Sequence, residues 1–222
     1  MIKKIIAFLC LIKLSEAYNL CVVGASSGLG KELIYQGITE RNMKVIGLSG
    51  SQKKITLPCR TNSFSEIKNE EIFEHPNLHI DNYWNNIRNY KYKNLVLTTS
   101  AGPFEDDYSD KILNKVLENL PDTCQTISFI SAFGAGESLK NSNLGIGIMN
   151  SWYLKDVYRA KNEQERILNN FKNKKIKKYI YLPKALSYGE TRLDSLSRRN
   201  LAIDILDRIE NCDSKNKNVY KY

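Results

Sequence analysis

VVGASSGLGKEL (Val22 to Leu33) begins as an apolar run suited to a buried strand and passes through Gly24, Gly28 and Gly30. It ends where Leu29, Leu33 and Ile34 fall at helical spacing. A strand that turns through glycines into a helix brings backbone amides to the positive end of that helix, where they can hold a phosphate. Glycine permits the sharp turn and leaves no Cβ between backbone and ligand.

Three chemistries use a loop of this kind. The phosphate loop of nucleoside triphosphatases, GxxxxGK[ST], would need a glycine at Ala25 and a magnesium-binding hydroxyl at Glu32, so that frame fails. Gly24-Ala25-Ser26-Ser27-Gly28 satisfies the GxSxG nucleophile elbow of an α/β-hydrolase, with Ser26 as nucleophile. That reading needs a histidine late in the chain, and the two histidines are His75 and His79. The third chemistry is dinucleotide binding: Gly24, Gly28 and Gly30 stand as GxxxGxG between a strand and a helix, the context that motif requires.

Outward from the loop, short apolar runs recur at Asn19 to Val23, Lys44 to Leu48, Asn94 to Thr98, Thr126 to Ile130 and Lys178 to Leu182. They do not alternate with polar residues, which suits strands buried on both faces of a parallel sheet. Segments of helical periodicity separate them. A third strand is expected at Asn77 to Ile80, ending on Asp81, and a helix around Ser65 to Glu74. The order predicts one α/β domain over residues 18–222, Rossmann-type and three-layered, with a doubly wound, mostly parallel sheet and helices on both faces. No internal repeat or low-complexity linker divides it.

A chain of 222 residues and 25.5 kDa suits one such domain, burying roughly 70% of its unfolded surface. The net charge of +9 is spread among asparagine, isoleucine and tyrosine rather than gathered into a stripe, so specific nucleic-acid binding is not expected. MIKKIIAFLCLIKLSEA fits a secretory signal cut after Ala17 or a retained extension. Its apolar run, Ile5 to Ile12, is too short to span a bilayer. Cys10, Cys21, Cys59, Cys124 and Cys212 form no CxxC pair, and Cys21 reads as a buried strand thiol. Pro76 disfavours a helix joining His75 to His79, so these read as loop residues, and no metal site is expected.

Several motifs together resemble the short-chain dehydrogenase/reductase superfamily, in particular its atypical members, which include biliverdin- and flavin-reductase-like NAD(P)H-binding proteins. VGASSGLG looks like their cofactor loop, which implies dinucleotide contacts from Gly24, Ser26, Ser27, Gly28, Leu29 and Gly30. TTSAG (Thr98 to Gly102) resembles the turn beside the adenosine, which implies Ser100, Ala101 and Gly102; Asp81 matches an adenine-contacting aspartate. ISFISAFGAG (Ile127 to Gly136) looks like the fifth strand and its serine, Ser131. AKNEQERIL (Ala160 to Leu168) is similar to the family's aK…E..L helix, and YIYLPKALSYGE (Tyr179 to Glu190) to the sixth strand and proline turn beside the nicotinamide. The latter implies contacts from Pro183 and Leu186, with Leu182 where an arginine is common. LSRRNLAIDILDRIE and NKNVYKY resemble the closing helix and last strand, so the likeness runs from about residue 19 to residue 222.

NAD-specific sites usually place an acid at the end of the second strand to bond the ribose hydroxyls. Here the region reads Ser49-Gly50-Ser51-Gln52-Lys53-Lys54. Ser49, Ser51 and Lys53 therefore favour NADP(H) over NAD(H).

Reductases of this family use a tyrosine and a lysine four residues apart; Tyr158 and Lys161 are three apart. Four residues of helix advance about 400° and three about 300°, so either spacing leaves both side chains on one face. Tyr153, Val157, Ala160, Ile167 and Phe171 form an apolar stripe expected to pack, while Leu154, Tyr158, Lys161, Glu165 and Leu168 are expected to border the cleft. Lys161 matches the family in frame as a ribose contact, whereas Tyr158 departs from its spacing. Ser131, Tyr158 and Lys161 are the catalytic candidates. Gly145 to Tyr153 and Tyr188 to Ser197 are expected to roof the pocket, and residues 55–76 to form a lid or a long loop. Two functions follow: an NADPH-dependent reductase of a small acceptor (a carbonyl, quinone, flavin or enone), or a non-catalytic dinucleotide-binding redox sensor or assembly partner.

Overall fold

In the computed structural model the apolar runs form the strands β1 (Tyr18–Val23), β2 (Val45–Ser49), β3 (Leu78–Asn82), β4 (Tyr92–Leu97), β5 (Thr126–Ile130) and β6 (Lys177–Leu182). The structure describes residues 17–50, 54–59, 71–82, 87–99, 109–135, 154–184, 186–187, 196–211 and 219–221. Four helices lie among them: α1 (Gly28–Thr39), α2 (Ser109–Glu118), α3 (Lys155–Asn170) and α4 (Arg198–Asn211). Two short strands, β7 (Leu186–Ser187) and β8 (Leu196–Ser197), pair with each other, and β9 (Val219–Lys221) joins the main sheet.

The main sheet has the order β3-β2-β1-β4-β5-β6-β9. Every neighbouring pair in it is parallel, which sharpens the mostly parallel expectation. Strand order reverses between β1 and β4, and in open α/β sheets the crevice beyond the carboxyl ends at that point is where ligands bind.

Alternation along each strand builds a core on both faces. Leu20 and Val22 of β1 pack with Leu33 and Ile34 of α1 and with Leu201 and Leu206 of α4. Cys21 and Val23 turn the other way, to Ile112 and Leu113 of α2 and Leu168 of α3. Gln36, fully buried on α1, donates to Glu32 Oε2 at 2.9 Å and to the Arg199 carbonyl at 3.3 Å, which ties α1 to the start of α4. Gly47 of β2 is small because a Cβ there would lie 2.6 Å from Ile80 Cδ1 and 2.9 Å from Ala25 Cβ. Gly47→Ala is therefore expected to cost about 1–3 kcal/mol through overpacking, seen as a lower denaturation midpoint in urea with an unchanged slope.

Two expectations change. The helix expected at Ser65 to Glu74 is absent from its described part: Ile72 forms an antiparallel bridge with Thr56, flanked by Leu57 N to Glu71 O and Phe73 N to Ile55 O. Residues 55–76 are thus held at their base by a backbone clamp, with Ile55 buried in the core; 60–70 lie outside the described residues. His79 belongs to β3 rather than to a loop, its ring on the exposed side of an edge strand. Among the described residues no helix is long and apolar enough to cross a membrane. Residues 1–16 and with them almost all of the N-terminal signal or extension lie outside the described residues, as do Cys10 and Cys212.

Candidate functional site

The turn after β1 is closed by a chain of hydroxyls that the glycine spacing does not reveal. Gly24 adopts φ 90°, a conformation that L side chains rarely take, and Ser27 N donates back to Gly24 O at 2.9 Å. Ser27 caps α1, its Oγ accepting from Gly30 N at 2.9 Å. The same hydroxyl meets Thr98 Oγ1 at 2.9 Å, and Thr98 donates to Gly24 O at 3.0 Å and Val23 O at 3.1 Å. Proton counting orders the chain: Thr98 spends its proton on the Val23 and Gly24 carbonyls, so Ser27 donates to Thr98 while accepting from Gly30.

No side chain fits at either end of this latch. A Cβ on Gly30 would stand 2.3 Å from Gly24 O, and one on Gly24 would stand 2.7 Å from Thr98 Oγ1 and 3.0 Å from Thr99 N. The amides of Gly28 and Leu29 head α1 and, as first-turn donors, have no acceptor within the helix. The arrangement is a cradle for an anion at a helix N-terminus beside the switch point. Thr98→Val keeps the shape and removes the latch. It is expected to cost about 1–3 kcal/mol of stability and to weaken dinucleotide binding roughly tenfold, by thermal denaturation and fluorescence titration.

Ser49, at the carboxyl end of β2, is buried, with its Oγ 3.4 Å from Ser26 Oγ. Asp81 lies one register step away on β3, opposite Leu48. Asn82 donates its side-chain amide to Gly50 O and so fixes the ends of β2 and β3 together. Ser51, Lys53, Ser100, Ala101 and Gly102 lie outside the described residues, as do the pocket-roof stretches 145–153 and 188–195. Lys54 is exposed and pairs with Glu74 at 3.2 Å.

Across the switch point, Lys161 is 4% exposed, and its ammonium donates to Thr99 O at 2.8 Å and to Ile130 O at 2.9 Å. It also lies 5.2 Å from the centre of the Phe129 ring. One cation thus bridges the carboxyl ends of β4 and β5. Ser131, just past β5, is buried and donates to Glu165. Its backbone amide bonds Tyr181 O at 2.9 Å, and Phe133 N bonds the carbonyl of buried Pro183 at 3.0 Å, which zips the turn after β5 onto the end of β6. Leu186 stands half-buried in β7, its carbonyl taken by Arg198 at 2.9 Å.

Tyr158 and Lys161 do not form a coupled pair. The Tyr158 hydroxyl donates to Phe133 O at 3.1 Å, and burial raises its pKa above the ordinary value. A lysine next to the phenol would lower that pKa, but the Lys161 ammonium is bonded to the two strand-end carbonyls instead. The two stripes expected on α3 are also corrected. Its buried face comprises Ala160, Lys161, Gln164, Glu165 and Leu168; Leu168 sits in the core, and Val157 and Ile167 are only half-buried. The polar members find partners for most of their atoms: Gln164 donates to Ser109 O at 2.9 Å, though its Oε1 is buried without a partner among the described residues, and Glu165 accepts from Ser131.

The hydrolase reading of Ser26 finds no base among the described residues. His75 accepts from Asn77 N, and His79 bonds Tyr90.

An all-parallel sheet that runs 3-2-1-4-5-6 with a glycine turn at its switch point defines a Rossmann-type α/β fold. No family model and no curated protein matches the sequence. Solved structures do match the fold at low identity. The chain is similar to ChuY, an anaerobilin reductase from Escherichia coli O157:H7, at 12% identity and TM-score 0.59, covering 91% of this chain and 95% of that one. It is similar to a short-chain dehydrogenase/reductase from Veillonella parvula in complex with NADP, at 12% identity and TM-score 0.60, covering 88% and 89%. It is also similar to WbmH of Bordetella bronchiseptica in complex with NAD+, at 11% identity and TM-score 0.57, covering 92% and 75%.

Proposed function

We propose that the protein is an NADPH-dependent oxidoreductase that passes a hydride to a small unsaturated acceptor. The observation that carries this reading is the cradle itself: two glycines with no room for a Cβ, latched through Ser27 and Thr98, at the switch point of a parallel sheet. Two solved structures of like fold hold NADP and NAD+, so likeness of fold does not choose between the two forms. The absence of an acid in Ser49 to Lys54 favours the phosphorylated form.

The residues divide the work along the crevice. Gly24, Ser26, Ser27, Gly28, Leu29 and Gly30 hold the pyrophosphate, with Ser49, Ser51 and Lys53 at the adenosine ribose. Asp81 stands at the base, with Ser100, Ala101 and Gly102 along the adenosine. Lys161 faces the nicotinamide ribose, with Pro183 and Leu186 beside the ring. A bound reduced nicotinamide supplies the hydride.

The acceptor must also gain a proton, and here the side chains limit the chemistry. The Ser131 proton is directed at Glu165 and the Tyr158 proton at Phe133 O, and burial opposes a phenolate at Tyr158. This favours acceptors that take a proton from water, such as quinones and flavins, over simple ketones that need a positioned acid. The same observation supports the second reading, a dinucleotide-binding sensor or assembly partner without turnover.

NADPH oxidation measured against quinones, flavins, enones and ketones separates the two. Turnover of a quinone or flavin that survives in Tyr158→Phe is the expected result. Tight NADPH binding with no turnover on any acceptor would sink the reductase reading and leave the sensor.

A further inference from the structure

Lysines scattered along the sequence converge at the pole of the sheet opposite the crevice. Lys91 and Lys93 stand at the amino end of β4 and Lys177 at that of β6, all exposed. Backbone bonds set them in a row: Tyr18 N donates to Lys91 O at 2.8 Å, Gln125 N to Lys93 O at 2.7 Å, and Lys177 N to Gln125 O at 2.9 Å. Lys172, Lys174 and Lys175, also exposed, follow the end of α3 at the same pole. Helix ends often draw lysines to their last carbonyls. At α3 that role falls to Lys178, whose ammonium donates to Leu168 O at 2.8 Å and to Phe171 O at 3.0 Å. Among the described residues, none of Lys91, Lys93, Lys172, Lys174 and Lys175 joins an ion pair. The end of α2 and the turn after it bring Glu118 and Asp122 here, fewer acids than lysines. A cleft of about 790 Å³ opens among the lysines that follow α3, with Leu120, Pro121, Phe171 and Ile176 as its apolar wall.

The chain enters the sheet at this same pole. Tyr18, the first residue of β1, bonds Lys91, and six residues before it comes Ile12, the end of the apolar run Ile5 to Ile12 that Lys3, Lys4 and Lys13 flank. That run lies outside the described residues, and a link of this length spans at most about 20 Å. We propose that this pole docks on an anionic lipid bilayer, with the exposed lysines against the headgroups and the apolar run in the interface. Of the two readings of residues 1–17 this takes the retained extension, and it stands apart from the dinucleotide reading. A basic face or a short apolar anchor alone gives weak, reversible attachment, whereas the two together hold. Lysine is a compact, mobile charge suited to a diffuse anionic surface, and an apolar run beside it has a place in a bilayer and none on a nucleic acid. Docked in this way, the protein turns the carboxyl ends of its parallel strands, and with them the crevice, towards solution.

The test is sedimentation of the full chain with vesicles of phosphatidylcholine alone or with about a quarter of phosphatidylserine. Binding is expected to be about tenfold tighter on the mixed vesicles and to weaken as salt is raised. Each lysine near such a surface contributes about fivefold, so Lys174→Gln with Lys175→Gln is expected to lose about thirtyfold. Lys155→Gln with Lys184→Gln makes the same change in net charge at the crevice pole and should stay within about twofold of the unaltered protein. Phe8→Ser with Leu11→Ser should weaken binding to both kinds of vesicle by about tenfold. Equal losses from the two lysine pairs would reduce the effect to net charge and overturn the proposal. So would equal affinity for both kinds of vesicle, binding unchanged by the Phe8 and Leu11 substitutions, or tighter binding to duplex RNA than to the mixed vesicles.

Discussion

Gly30→Ala is expected to lower affinity for NADPH about a hundredfold while leaving the protein folded. The added methyl would stand 2.3 Å from the Gly24 carbonyl and 2.9 Å from Ser27 Oγ, so the turn must open. An opened turn withdraws the Gly28 and Leu29 amides from the pyrophosphate, and two hydrogen bonds to a charged group are together worth roughly 3 kcal/mol, or about two orders of magnitude. The intrinsic preference runs the other way, since alanine in a helix is better than glycine by about 1 kcal/mol. A loss of affinity and of thermal stability together would therefore report the overlap and not the helix propensity. Fluorescence titration with NADPH and a melting curve on the same variant measure both.

Lys161→Met removes the ammonium and keeps the stem. The carbonyls of Thr99 and Ile130 lose their shared donor in a place where the side chain is 4% exposed. Each buried carbonyl left without a partner costs about 1–3 kcal/mol, and the relief of the buried charge offsets part of that. The expected net loss is about 2 kcal/mol, a fall in melting temperature of roughly 4–8 °C for a chain of this length. Lys161→Arg is not expected to restore it, because the planar guanidinium cannot place one nitrogen between two strand-end carbonyls in the space of an ammonium. NADPH affinity should fall about tenfold as well if Lys161 reaches the nicotinamide ribose. A variant that melts like the unaltered protein would show that the ammonium does not join β4 to β5.

What was legible in the sequence follows from how the sheet is covered. β1, β2, β4, β5 and β6 are hidden on both faces, so their apolar runs stand out and their order gives the fold. β3 lies at the edge, only half-buried, and its alternation of Leu78 and Ile80 with His79 and Asp81 is a weaker signal; the strand is legible at Asn77 to Ile80 all the same, and the loop reading of His79 came from Pro76 beside it. The glycine cradle was legible because its residues are adjacent in the chain. Its latch was not, because Thr98 is 71 residues from Ser27 and nothing in either segment points to the other.

The face of α3 misled for a different physical reason. Apolar periodicity assumes that burial goes with apolar side chains, yet Lys161, Gln164 and Glu165 are buried, their Nζ, Nε2 and Oε1 atoms held by neighbouring backbone and by Ser131. The likeness of Ala160-Lys161 and Glu165 to a family helix and the periodicity of the stripe both singled out Lys161 and Glu165, and neither showed that these side chains are buried. The three-residue spacing of Tyr158 proved informative in the same way: the hydroxyl is drawn to Phe133 O, away from any partnership with the lysine.

The central claim is that the β1–α1 cradle binds a nicotinamide dinucleotide, and calorimetric titration of the purified chain with NADPH and with NADH tests it most directly. The account predicts saturable binding of one NADPH per chain, tighter than NADH and weakened by Gly30→Ala. Binding of neither dinucleotide would contradict it.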